Sequence, residues 1–99
     1  MRNDVDVHEE ASIEYDEAFD WYLRRSPDAA RKFDAEVSRA FTEIVQSPRR
    51  WAVGSHSTRR FLLRQFPFTV IYRELLWGEI QIVAIAHVSR RPGYWRERL

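Results

Sequence analysis

The side chains best suited to chemistry in this chain gather in its last thirteen residues, His87-Val-Ser-Arg-Arg-Pro-Gly-Tyr-Trp-Arg-Glu-Arg-Leu99, which hold one imidazole, four arginines and two aromatic rings. An imidazole such as His87 exchanges a proton near neutral pH. Arg90 and Arg91 can each grip a phosphate or carboxylate through paired N–H donors. Tyr94 and Trp95 offer ring faces to a base. Arg60 and Arg64, an even number of residues apart, add cations to one face of an expected strand. Each of these residues also has a structural reading. His87 can bond backbone at a strand end, Arg60 and Arg64 can form a solvated face, and Tyr94 and Trp95 can clamp a short tail onto the core after the Pro92-Gly93 turn.

Charge is distributed unevenly. Residues 1–48 carry 6 Lys+Arg against 12 Asp+Glu, and residues 49–99 carry 10 against 3, although the whole chain is +1. A basic half suits an anionic partner, while solvated helix faces would account equally for the acidic half. All the basic residues but Lys32 are arginine, which suits bidentate contacts and equally fits a genome-wide composition bias.

A chain of 99 residues forms one domain and buries roughly 60–65% of the surface exposed by its unfolded form. With 44% apolar and 14% aromatic residues it can build a core without metals or disulfides. The absence of cysteine excludes disulfides and Cys-ligated zinc, and His8, His56 and His87 lack metal-ligand spacing. No metal and no cofactor is expected. The opening residues lack the apolar stretch of a secretion signal and no run of eighteen apolar residues occurs, so a cytoplasmic protein with no membrane contact is expected.

Helices and strands must position these groups. Val5 and Val7 alternate with Asp4 and Asp6, predicting a short strand to His8. Tyr15, Ala18, Phe19 and Tyr22 share one helical face, predicting a helix over 10–25. Ser26-Pro27-Asp28 supplies an N-cap, a first-turn proline and an acid for a second helix. Its stripe is Phe33, Val37, Ala40, Phe41 and Ile44, and Ser47-Pro48 ends it. So short a connection predicts an antiparallel hairpin. Residues 49–58 read as a loop, and the period then becomes two in runs at 60–64, 68–73 and 79–87, predicting an antiparallel meander. In the last run Ile80, Ile82, Ala84 and Ala86 should face the helices. Gln81, Val83, Ile85 and His87 should join Arg60, Leu62 and Arg64 on an open face. The expected class is α+β: short N-terminal strand, helix hairpin, three-stranded meander packed on it, and a short C-terminal tail helix.

Four segments in this order carry a resemblance: Trp21-Tyr22; Ile44-Val-Gln-Ser-Pro-Arg-Arg-Trp51; Arg64-Gln-Phe-Pro-Phe-Thr-Val-Ile-Tyr72; and Ala84-Ile-Ala-His-Val-Ser-Arg-Arg-Pro-Gly-Tyr-Trp95. Together they resemble the RelE/ParE family of bacterial toxins. The resemblance implies a toxin from a two-gene toxin–antitoxin or plasmid-stabilisation module, neutralised by a cognate antitoxin. It implies one of two targets, messenger RNA in the ribosome for RelE-like members or DNA gyrase for ParE-like ones, and fold alone does not choose between them.

Metal-free RNA cleavage requires a base, an acid and cations in one place. In a RelE-like member, His87, Tyr94 and Arg64 would be catalytic, with Arg60 and Arg90 on phosphate. In either branch, Arg60, Arg64, Arg90, Arg91, Tyr94 and Trp95 would touch the target, while Arg60, Leu62, Val83 and Ile85 would meet the antitoxin. RelE-like members carry a further cation where this chain has Val88, and its single lysine lies on a helix. The ending therefore looks closer to ParE-like members, and gyrase poisoning is the expected activity. The alternatives are a ribosome-dependent messenger-RNA endoribonuclease and a diverged, non-toxic module that only binds antitoxin.

Overall fold

Helix α1 (Glu9–Arg25) starts and stops on local signals. His8 caps it, its Nδ1 accepting the Glu10 N–H at 3.0 Å, and acids in the first turn with arginines in the last complement the helix dipole. Ser26 ends α1 and begins α2 (Pro27–Gln46): its N–H donates to the Tyr22 carbonyl at 2.8 Å and its Oγ accepts from Ala29 N–H at 3.2 Å. One residue serving both helices forces the antiparallel hairpin.

A computed structural model of the protein describes residues 5–99; Asp4, part of the alternation expected of the first strand, lies outside them. Strands β1 (Val5–Val7), β2 (Arg59–Leu62), β3 (Phe68–Glu74) and β4 (Ile80–His87) form one sheet in the order β1-β4-β3-β2. β1 runs parallel to β4, and the other pairs are antiparallel. The expected α+β layout holds, except that the tail helix is a single 3-10 turn at Arg96–Arg98.

Two cores lie on the two sheet faces. On the helix side Phe33, fully buried, is ringed by Tyr15, Tyr22, Phe66 and Phe68 at centroid distances of 5.5, 5.3, 5.4 and 5.5 Å. Each such pair contributes about 0.5–1.5 kcal/mol beyond area burial. On the other side Ile71, Val83, Ala84 and Ala86 lie beneath Trp95, with Tyr94 packed alongside.

The second core corrects the alternation expected of β4. Tyr72 pairs with Ile82 but Ile71 pairs with Ala84, so Val83 is an extra, bulged residue. The bulge reverses the parity beyond it. Ile80, Ile82 and Ile85 face the helices, while Val83, Ala84 and Ala86 face the tail. His87, opposite Phe68, therefore turns its ring to the helix side and meets the arginines only at the rim where the strand ends. Val83 and Ile85 are 0% and 2% exposed, and Trp95 3%. Val83 and Ile85 are therefore not the surface contacts that alternation suggested, and Trp95, expected to touch the target, is buried as well.

A carboxylate closes the edge of the sheet. β1 covers β4 only as far as Ile82, leaving backbone groups beyond it that need partners. Glu14 of α1 accepts the Ile85 N–H at 2.9 Å, the Tyr94 hydroxyl at 2.6 Å and the Arg98 guanidinium at 2.8 Å. Arg98 also donates to the Val83 carbonyl at 3.0 Å. The Glu14 and Arg98 side chains are only 12% and 13% exposed. Helix, bulge and tail thus meet at one ion pair.

Two expectations follow for stability. Trp95→Ala should cost about 3–5 kcal/mol, as for other large-to-small changes in a core, and Glu14→Ala a comparable 3–5 kcal/mol by stranding a buried guanidinium; denaturant melts measure both, and near-wild-type midpoints would refute this account of the tail. Burial raises the phenol pKa of Tyr15, Tyr22, Tyr72 and Tyr94, helped by the bond to Asp34 for Tyr15 and to Glu14 for Tyr94. Unfolded phenols ionise near pH ~10. The folded state holds the proton more tightly, so this stabilisation is full below that pH and is lost as pH rises towards the folded values. Phenolate absorbance should therefore grow together with unfolding, and its growth in a still-folded protein would contradict the assignment.

Candidate functional site

The segment after β4 is built from consecutive turns. Val88 N–H donates to the Pro67 carbonyl at 2.9 Å, Arg90 N–H to His87 at 3.0 Å and Arg96 N–H to Gly93 at 3.0 Å. Gly93 adopts φ 76°, a left-handed conformation that a side chain would strain. These turns bring Tyr94 back to Glu14 and set Trp95 over the outer core. Arg90 then lies 3.7 Å above the Tyr94 ring, a cation–π geometry. The tail is a folded lid bearing cations on its outer surface.

Arg60, Arg90 and Arg91 line one cleft of about 110 Å³ with His87, Tyr94 and Trp95. Among the described residues no ion pair neutralises any of these three arginines. Three unpaired guanidinium groups around a small concavity can take an oxyanion such as a phosphate or a carboxylate. Trp95 supplies the floor and offers no exposed ring face.

His87 stands between this cleft and a second, about 420 Å³, between α1 and the end of the β3–β4 pair. Trp21, Tyr22, Phe68 and Ile85 make the second cleft mainly apolar, with Glu17 and Arg90 also lining it. The His87 ring meets Phe68 edge-on at 5.1 Å. Its Nδ1 accepts the Ser89 N–H at 3.1 Å, with the Ser89 Oγ 2.8 Å away. An accepting Nδ1 leaves the proton of the neutral ring on Nε2.

Of the three residues proposed for RNA cleavage, His87 and Tyr94 share the cationic cleft and Arg64 does not. Arg64 lies beyond the end of β2, where the Arg64 and Gln65 N–H groups donate to the Glu36 carboxylate of α2. Its cleft is shared with Lys32 and Arg39, not with His87 or Tyr94. The Tyr94 hydroxyl is committed to Glu14, and burial together with that bond pushes its pKa up, so it is a poor acid near neutral pH. Arg60 stays on the outer face opposite Ile71, and Leu62 remains exposed beside it on the edge strand. No group of three His, Cys, Asp or Glu side chains among the described residues could hold a metal, and no helix there is long and apolar enough to cross a membrane.

Glu14 is the functional-region residue that sequence reasoning missed. It sits in a helix rich in carboxylates, and nothing in its spacing distinguishes it from Glu10 or Glu17.

No curated protein matches the sequence. Among solved structures, a chain titled as the chromosomal ParDE toxin–antitoxin system from P. aeruginosa superposes with a TM-score of 0.72. It is 21% identical, and the match covers 86% of this chain and 95% of that one, a likeness of fold. The family model described as the ParE toxin of the type II toxin–antitoxin system parDE matches residues 5–92. With nearly the whole chain matched, this protein belongs to the ParE toxin family of type II toxin–antitoxin systems.

Proposed function

We propose that this toxin arrests growth by binding and poisoning DNA gyrase in the cytoplasm, breaks no bond itself, and is neutralised by a cognate antitoxin. The observation that carries the reading is the incompleteness of the cleavage set: the Tyr94 hydroxyl is occupied by Glu14 and Arg64 lies beside α2, which leaves His87 without a free acid–base partner. A protein without that constellation acts through its surface. The surface on offer is the cleft of Arg60, Arg90 and Arg91, whose guanidinium groups suit carboxylates or phosphates on a large partner. For the antitoxin, Arg60 and Leu62 on the free edge of β2 are accessible to an added strand. The family supplies the antitoxin as a partner, and membership in the ParE branch favours gyrase over messenger RNA.

The purified protein, added to a gyrase supercoiling and cleavage-complex assay, should inhibit the enzyme. His87→Ala should inhibit about as well as wild type, whereas Arg90→Ala combined with Arg91→Ala should be roughly tenfold weaker, as expected for losing one or two charge-assisted contacts. Unaffected gyrase together with codon-registered cuts in a translated transcript would replace this reading with the ribosome-dependent endoribonuclease. Loss of activity in a folded His87→Ala protein would also count against a chemistry-free toxin.

A further inference from the structure

The tip of the β3–β4 hairpin carries two large apolar side chains with no structural task. Leu76 is 94% exposed and Trp77 89%. The turn itself does not need them. Gly78 N–H closes it on the Leu75 carbonyl at 3.0 Å, Leu75 N–H bonds the Glu79 carbonyl at 2.7 Å, and Gly78 supplies the left-handed step at φ 87°. The two positions between Leu75 and Gly78 are ones where Asn, Asp, Ser or Pro usually serve a turn.

The other tryptophans are all engaged. Trp21 meets Tyr22 edge-on and carries Arg25 3.6 Å over its ring; Trp51 packs on Phe61 at 4.9 Å; Trp95 fills the outer core. Among the described residues no ring or guanidinium stacks on Trp77. Single exposed apolar residues are ordinary, but an indole this exposed on a projecting turn, with Leu76 widening the apolar surface beside it, is the side chain that most often anchors an interface.

We propose that Leu76 and Trp77 insert into an apolar socket on the folded protein that the toxin poisons. The proposal rests on the reading that toxicity comes from binding. Shape favours a folded target over the antitoxin as the occupant. The antitoxin has the edge of β2 for an added strand, and the apolar groove beside α1, at Ala18, Trp21, Tyr22, Phe68 and Ile85, is itself concave. A convex tip needs the opposite, a preformed concave pocket such as folded proteins carry.

The stem presents the tip rigidly. Glu74 pairs with Ile80 and Arg73 with Gln81 across the hairpin, Arg73 Nε bonds Gln81 at 2.8 Å, and Arg49 grips Glu74 at 3.1 Å. Pre-organisation of this kind lowers the entropic cost of docking. The eight residues of β4 also place the tip about 25 Å from His87 and the Arg90–Arg91 turn. The target would then be held at both ends of the sheet, by an apolar anchor at one and cations at the other.

The double change Leu76→Ser with Trp77→Ser tests this, because both side chains are exposed and folding does not depend on them. The variant should keep the wild-type melting midpoint and antitoxin affinity. Its affinity for purified gyrase should fall about 30-fold, typical of a hot-spot loss, and its induction without antitoxin should no longer arrest growth. Trp77→Phe alone should retain most of the activity. A double variant as toxic as wild type overturns the proposal, and so does one that loses antitoxin affinity while remaining toxic. If the wild type arrests growth without affecting gyrase, the gyrase reading fails alone and the growth comparison still decides the role of the tip. A harmless wild type overturns both.

Discussion

The unpaired edge of β4 is the constraint on which the rest of the molecule depends. β1 is three residues long and stops supplying partners at Ile82, while β4 continues to His87 with backbone groups that cannot be left buried and unbonded. Glu14 and Arg98 satisfy them from opposite layers, one from the helix hairpin and one from the tail. The same ion pair anchors Tyr94, sets Trp95 over the outer core and so places Arg90 and Arg91 beside Arg60. The cationic cleft thus follows from solving a hydrogen-bonding problem at a sheet edge.

The bulge at Val83 is the other half of that solution. By reversing the side-chain parity of β4 it buries both faces of the strand, Ile85 against the helices and Ala84 and Ala86 against the tail. Small residues at 84 and 86 leave room for the indole of Trp95. It also turns the His87 ring towards Phe68 and the apolar cleft beside α1, leaving the residue on the rim shared with the cationic cleft. A single inserted residue therefore sets the candidate acid–base group at the rim between the apolar and the cationic cleft.

Much of the fold was legible in the sequence because its signals are local. The stripe of Phe33, Val37, Ala40 and Ile44, the N-cap at Ser26 and the alternation of β3 each depend on neighbours a few residues away. The sense of β1 and the parity of β4 were not legible. A bulge leaves no mark in a run of Ile, Val and Ala, where every residue suits either face. Burial of Trp95 was open to two readings, since the same Tyr-Trp pair can clamp a tail or stack on a ligand. Glu14 and Arg98 were illegible for a different reason: their meeting depends on the finished fold. Of the candidate site, Arg60, Arg90 and Arg91 stand where a basic surface was expected, while the even spacing of Arg60 and Arg64 misled because the strand ends at Leu62.

The contact between Glu14 and Arg98 spans 84 positions, which gives the molecule an order of assembly. Loop-closure entropy delays contacts of such separation until nearer ones have restricted the chain. The helix hairpin and the β3–β4 pair are closed by short connections, as is the seat of Trp95 on Ala84 and Ala86, whereas the Glu14–Arg98 pair closes only across most of the chain. The contact that ties the cationic tail to α1 is accordingly among the most costly in chain entropy that the molecule makes, and loss of either partner would leave the tail held by its local contacts alone.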